Sequence, residues 1–141
     1  MILSLIKFGV LLALLIYASI KDIKSREVPD SVSGMMLILG LVGITAGDLP
    51  SMLLGLVLVF LPQYIAAIIN PAKALGGADI KLSSAAAFLL GAPRGLFALI
   101  VGLTLSVMTV PIVRKVKKLP KNQPFPLVPF LAVGIIAAYL I

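Results

Sequence analysis

Ile2-Leu3-Ser4-Leu5-Ile6-Lys7-Phe8-Gly9-Val10-Leu11-Leu12-Ala13-Leu14-Leu15-Ile16-Tyr17-Ala18-Ser19-Ile20 opens the chain, and Lys21-Asp22-Ile23-Lys24 follows at once. A helix of about twenty apolar residues crosses the hydrocarbon core of a bilayer. One charge, Lys7, interrupts the run, and its long stem lets the ammonium snorkel toward the headgroups. A secretory signal peptide has a similar outline, but no small-x-small cleavage site precedes Lys21. The stretch is therefore read as a first membrane span, residues 2–20.

Composition extends that reading to the whole chain. Of 141 residues, 61% are hydrophobic and 12% charged, against roughly 45–50% and 25% in soluble domains. A soluble fold of this length could not hide so much apolar surface, so lipid must cover it. Five further apolar runs, at about 31–46, 51–69, 79–91, 96–113 and 127–141, complete an expected all-α, polytopic membrane bundle of about six transmembrane helices. One domain, 1–141, is expected. Pro62 lies inside the third run and predicts a kink whose freed carbonyl a neighbouring helix must satisfy. The fourth run rises only about 20 Å as helix, less than the hydrocarbon core of about 30 Å. Its small residues, Ser83 to Ala87, allow close approach, which predicts a position inside the bundle.

Cysteine and histidine are absent. Thiol nucleophiles, imidazole bases, disulfides and the usual zinc ligands are thereby removed. Hydrolytic chemistry is left to carboxylates, hydroxyls, lysine or backbone, with no metal or cofactor expected. The net charge of +7 would suit nucleic acid in a soluble protein, but in a membrane protein lysine and arginine mark cytoplasmic loops. Loops at 21–30, 71–81 and 114–121 hold ten of the twelve basic residues. Those three loops are therefore expected in the cytoplasm, both termini outside, and the run at 114–121 on anionic lipid headgroups. No nucleic-acid partner is expected. Pro29 disfavours helix at Val28, and Asp30 or Ser31 is the expected cap of the second helix.

Acids are scarce, five in all, and two of them share a string: Asp22-Ile23-Lys24 and Asp79-Ile80-Lys81. A carboxylate at the bilayer centre costs about 2.5–3.5 kcal/mol, so an acid beside a span usually has a task. The loop charges put Asp22 and Asp79 on one face, near one headgroup level, where they can meet. Two carboxylates about 3 Å apart share a proton and together activate a water. Each acid alone has a plainer reading: Asp22 paired with Lys21 or Lys24, and Asp79 capping the fourth helix. Gly76 and Gly77 give the loop before Asp79 either mobility or a tight turn. Lys24 and Lys81, each two residues past an acid, are candidates to hold it anionic or to receive a substrate acid, beside the simpler role of snorkelling. Asp79 starts a helix and Asp22 ends one, so the dipoles make Asp79 the base and Asp22 the acid.

The segment from Ala18 through Ser19-Ile20-Lys21-Asp22-Ile23-Lys24-Ser25-Arg26-Glu27-Val28-Pro29 to Asp30 resembles the first aspartate motif of the type IV prepilin peptidases. Gly76-Gly77-Ala78-Asp79-Ile80-Lys81-Leu82 resembles their second, Gly-x-Gly-Asp, with Ala78 in place of its second glycine. Residues 126–134 are similar to the proline-bearing start of their last helix. The resemblance implies a membrane aspartic protease, with Asp22 and Asp79 catalytic, that removes the leader of prepilin-like proteins at the cytoplasmic membrane face. The paired-cysteine region of the bifunctional members has no counterpart here, so the peptidase activity alone is implied. The presenilin and signal-peptide-peptidase group carries a Pro-Ala-Leu string that Pro126-Leu127-Val128-Pro129 does not supply. A rival of another class is a small transporter or channel subunit using intramembrane acids as a relay, with the Asp-Ile-Lys echo as an internal repeat.

Overall fold

The opening apolar run folds as one helix, α1 (Ile2–Ser25), in the computed structural model, which describes residues 1–71, 76–120 and 125–141. Five more helices follow: α2 (Asp30–Leu41), α3 (Leu49–Ile69), α4 (Gly77–Leu90), α5 (Ala92–Lys117) and α6 (Val128–Leu140). Among the described residues there is no strand. Residues 72–75 and 121–124 of the second and third basic loops, Lys73 and Lys121 included, lie outside the described residues. The protein is an all-helical membrane bundle. α1, α3 and α5 are long and apolar enough to cross a bilayer. α2, α4 and α6 have 12, 14 and 13 residues, a rise of about 18–21 Å. The six expected spans thus become three full-length helices and three short ones.

Two expected loops are partly helical. α1 continues through Lys21-Asp22-Ile23-Lys24 and stops at Arg26, left-handed at φ 57°, whose N–H bonds the Asp22 carbonyl at 3.0 Å. α5 continues through Arg114 to Lys117 and ends on left-handed Lys118. Lysine and arginine are good helix formers, and their charge suits the negative end of the helix dipole, so polarity alone does not end a helix. α2 is shorter than expected. Its last turn gives way to extended Val42 and then Gly43 at φ 70°. Lys7 Nζ donates to the Val42 carbonyl at 2.9 Å, so this lysine satisfies a helix-end acceptor as well as reaching the rim. The expected side-chain cap at Asp30 or Ser31 does not form. Pro29 is the N-cap, and Asp30 stands in the first turn.

α4 lies inside the bundle, as its small residues predict. It packs against α2, α3, α5 and α6, and Leu82 to Phe88 are buried without a break. Glycines on two neighbours allow this. A Cβ on Gly55 of α3 would lie 2.6 Å from the Ala87 carbonyl oxygen, and one on Gly95 of α5 would lie 2.6 Å from Ala87 Cα. Without a strong hydrophobic drive between helices in lipid, such backbone contact and polar bonds hold the bundle. Gln63 supplies one of those bonds. Its Nε2 donates to the Val59 carbonyl within α3 at 2.7 Å and across to Ser83 Oγ at 3.1 Å. The second bond ties α3 to α4, at an expected worth of about 1 kcal/mol per interhelical bond.

Candidate active site

Leu11, Leu15, Ala18 and Asp22 are the buried residues of α1. Their spacing of four, three and four puts them on one stripe of the helix. The acid is thus the last member of an apolar face and points into the bundle, 8% exposed. Its Oδ2 accepts the backbone N–H of Val128 at 3.0 Å. Val128 is the first residue of α6, with a proline next to it. Its N–H is one of the orphan donors that every helix N-terminus carries. An acid of α1 therefore caps α6, a pairing across 106 residues. It bonds this amide instead of Lys21 or Lys24. Lys21 instead lies over the Tyr17 ring, 5.9 Å from its centroid.

Asp79 is the third residue of α4, whose N-cap is Gly76. Its carboxyl lies by the Gly76 backbone N–H, which pulls its pKa down, in the manner of the reach-back half of a capping box. The plainer reading, a cap on this helix, is therefore part of its role. A Cβ on Gly76 would sit 3.3 Å from Asp79 Oδ2, so the glycine gives the carboxyl room to lean over the turn. Gly77 has open space where a Cβ would stand. Ala78 packs against the core and lines a cavity of about 510 Å³ with Lys21, Ser25, Glu27, Pro29 and Asp30. The alanine that departs from the Gly-x-Gly-Asp pattern is thus accommodated by packing.

Both acids stand at the same end of the bundle, where α1 ends and α4 and α6 begin. The Asp22 charge acts on Asp79 across the space between them. Asp79 is in the first turn of α4, outside the three long spans. Burial first, and the neighbouring Asp22 charge second, raise its carboxyl to about 6 against the pull of the Gly76 N–H. One proton on the pair relieves the repulsion of two like charges. Lys81 does not serve Asp79. Its Nζ grips both oxygens of Asp30 at 3.0 and 3.1 Å, joining α4 to the start of α2. Lys24 stands exposed in the last turn of α1. Two residues along a helix turn a side chain about 200° away, so neither lysine shares the face of its acid.

Sequence reasoning passed over the Val128 amide. The nearest signal was the Val-Pro start of the last helix, because a proline at the second helical position leaves the amide before it as the donor. The stripe at 11, 15, 18 and 22 was the other signal, and it was legible.

Compared with known proteins, the chain matches the sequence model of the type IV leader peptidase family over residues 9–113. No curated protein and no solved structure matches it. The matched region contains both acids and ends before Val128.

Proposed function

This chain belongs to the type IV leader peptidase family, and from that premise we propose that it is an aspartic endopeptidase using Asp22 and Asp79 to cut the leader of prepilin-like precursors. The observation that carries the proposal is that both acids lie at one rim of the bundle, close enough for one charge to act on the other. The basic rim, with Lys21, Lys24, Arg26, Arg114 and Lys117, is the cytoplasmic one by the positive-inside rule. Both termini then lie outside the cell membrane, and cleavage occurs at its cytoplasmic face.

The roles follow from the surroundings of each acid, and they reverse the assignment that the dipoles of α1 and α4 alone suggest. Asp79, raised to about 6, holds the proton of the resting pair. Asp22, fixed by the Val128 N–H, takes a proton from the shared water. The water oxygen attacks the scissile carbonyl carbon while Asp79 gives its proton to the carbonyl oxygen. The tetrahedral intermediate then collapses. The C–N bond breaks, Asp22 passes its proton to the leaving amine, and Asp79 recovers a proton from the hydroxyl. An extended substrate segment offers carbonyls free of helical bonds, and the cavity beside Ala78 gives it room.

Cleavage, its pH dependence and a carboxyl titration test this reading. Purified protein mixed with a prepilin-type peptide is expected to yield a single cut between leader and mature segment, read by mass spectrometry. Ion flux through reconstituted protein that cuts nothing supports the transporter reading instead. Activity should also fall as pH rises through about 6, because the acid loses its proton there; a pH profile of kcat/KM reads it as a property of the pair. Asp22→Asn removes the second-largest cause of the shift, so the Asp79 midpoint should move down toward 3.8, measured by carboxyl carbon NMR. An unchanged midpoint contradicts the electrostatic coupling.

A further inference from the structure

Beyond the aspartate pair, we propose that the basic rim carries a defined binding site for the phosphate headgroup of an anionic phospholipid, between the ends of α1 and α5. The second half of the proposal, that the bound lipid positions Asp22, rests on the peptidase reading above. A cavity of about 270 Å³ opens there, lined by Ile23 and Arg26 of α1, Arg114 and Lys117 of α5, and Phe125 and Pro126 of the segment before α6. Among the described residues lining this cavity none is acidic. Arg26 and Lys117, both exposed, bring two positive charges to this small space beside Arg114, and an anion between them relieves their repulsion. Guanidinium groups match phosphate oxygens in pairs, and the lysine adds a point charge.

The surroundings favour a lipid over a free anion. Ile23, Val113, Leu119, Phe125 and Pro126 make most of the described lining apolar. Toward the hydrocarbon, the same helices expose Ile16 and Ile20 on α1, and Val107 and Ile112 on α5. A charged mouth at the rim above apolar flanks has the polarity of an amphiphile whose acyl chains lie along the bundle. Basic residues at this depth attract anionic headgroups.

The cavity is coupled to the aspartate site by the chain itself. Ile23 follows Asp22, and the Arg26 backbone N–H bonds the Asp22 carbonyl at 3.0 Å. Pro126 lies two residues before Val128, whose N–H holds the Asp22 carboxylate. Phe125 also meets the Phe130 ring of α6 at 6.2 Å between centroids. A phosphate gripping Arg26, Arg114 and Lys117 therefore clamps both ends of the Val128–Asp22 bond. The lipid touches no reacting atom, and its role is to position the acid.

The test uses the full chain in nanodiscs of phosphatidylcholine with phosphatidylglycerol. Native mass spectrometry is expected to find phosphatidylglycerol retained over phosphatidylcholine by roughly tenfold. Arg26→Gln/Lys117→Gln should lose that preference, and Lys117→Arg should keep it. Lys115→Gln/Lys118→Gln, with the same charge change outside the cavity, should keep it too. A pocket variant that retains the preference, or a control that loses it equally, overturns the site. Displacement of the lipid by millimolar inorganic phosphate overturns the lipid assignment in favour of a free anion. In the second arm, leader cleavage is compared in phosphatidylcholine discs with and without phosphatidylglycerol. Phosphatidylglycerol should raise kcat severalfold in the wild type and leave KM unchanged, and the pocket variant should lack the increase. An equal increase in the pocket variant overturns the positioning role. Selective retention without cleavage in any lipid upholds the site and overturns the peptidase reading instead.

Discussion

Asparagine in place of either Asp22 or Asp79 is expected to leave a folded protein with leader cleavage reduced by at least about 10³-fold. The expectation combines chemistry with geometry. Neither variant can pass a proton between water, carbonyl and amine, so the loss is one of reaction and not of binding. The fold should survive, because asparagine keeps a carbonyl oxygen at each position. At 22 that oxygen still accepts the Val128 N–H, now bonded at 3.0 Å. At 79 it still faces the Gly76 N–H. Thermal unfolding in detergent should change little in either variant, while cleavage of a prepilin-type peptide disappears. A variant that unfolds without cutting says nothing of catalysis, so the two readouts belong together. Full activity of Asp79→Asn would remove the two-acid mechanism.

Gly134→Leu should have the largest effect on stability. Gly134 of α6 faces α5 so closely that a Cβ would overlap the Ala98 carbonyl oxygen and lie 2.9 Å from the Gly102 nitrogen. Those obstacles are backbone, which cannot turn aside as a side chain can. The reverse contact is also tight, since a Cβ on Gly102 would lie 2.9 Å from Leu131 Cα. Overpacking of this kind costs about 3 kcal/mol or more where helices must separate to relieve it. Separation would also carry the start of α6 away from α1, breaking the Val128–Asp22 bond. The variant should therefore unfold at lower denaturant and lose cleavage together. Gly77→Ala is the matched comparison, because a Cβ there meets nothing within 4 Å, and its stability should be close to wild type. Equal stability of Gly134→Leu and wild type would contradict the packing described for α5 and α6.

Much of this architecture was legible because the bilayer imposes simple arithmetic. Apolar length gave the helices, and the small residues between Ser83 and Ala87 gave the burial of α4. Loop charge put Asp22 and Asp79 at one rim, where the structure also has them. What was not legible depends on partners distant in sequence. Lys81 bonds Asp30 across 51 residues, and nothing near Lys81 in the chain marks that choice over its neighbour Asp79. Lys7 bonds the Val42 carbonyl across 35 residues, where snorkelling was the local expectation. The ends of α1 and α5 were misjudged for another reason. Charged residues leave the membrane, yet the helix goes on, because leaving lipid removes no hydrogen bond along its axis. The roles proposed for the two acids likewise draw on the start of α6, which local dipoles do not include.

The central claim is that the side chains at 22 and 79 face one small space, and the absence of cysteine from the chain makes that directly measurable. With Asp22→Cys and Asp79→Cys introduced together, membranes are treated with a short bifunctional thiol reagent, and the intact mass is read. Both thiols should be bridged within one molecule, rapidly and in high yield, with a Lys24→Cys/Asp79→Cys pair as the slow comparison. Two singly modified cysteines without a bridge, in a folded protein, would contradict the account.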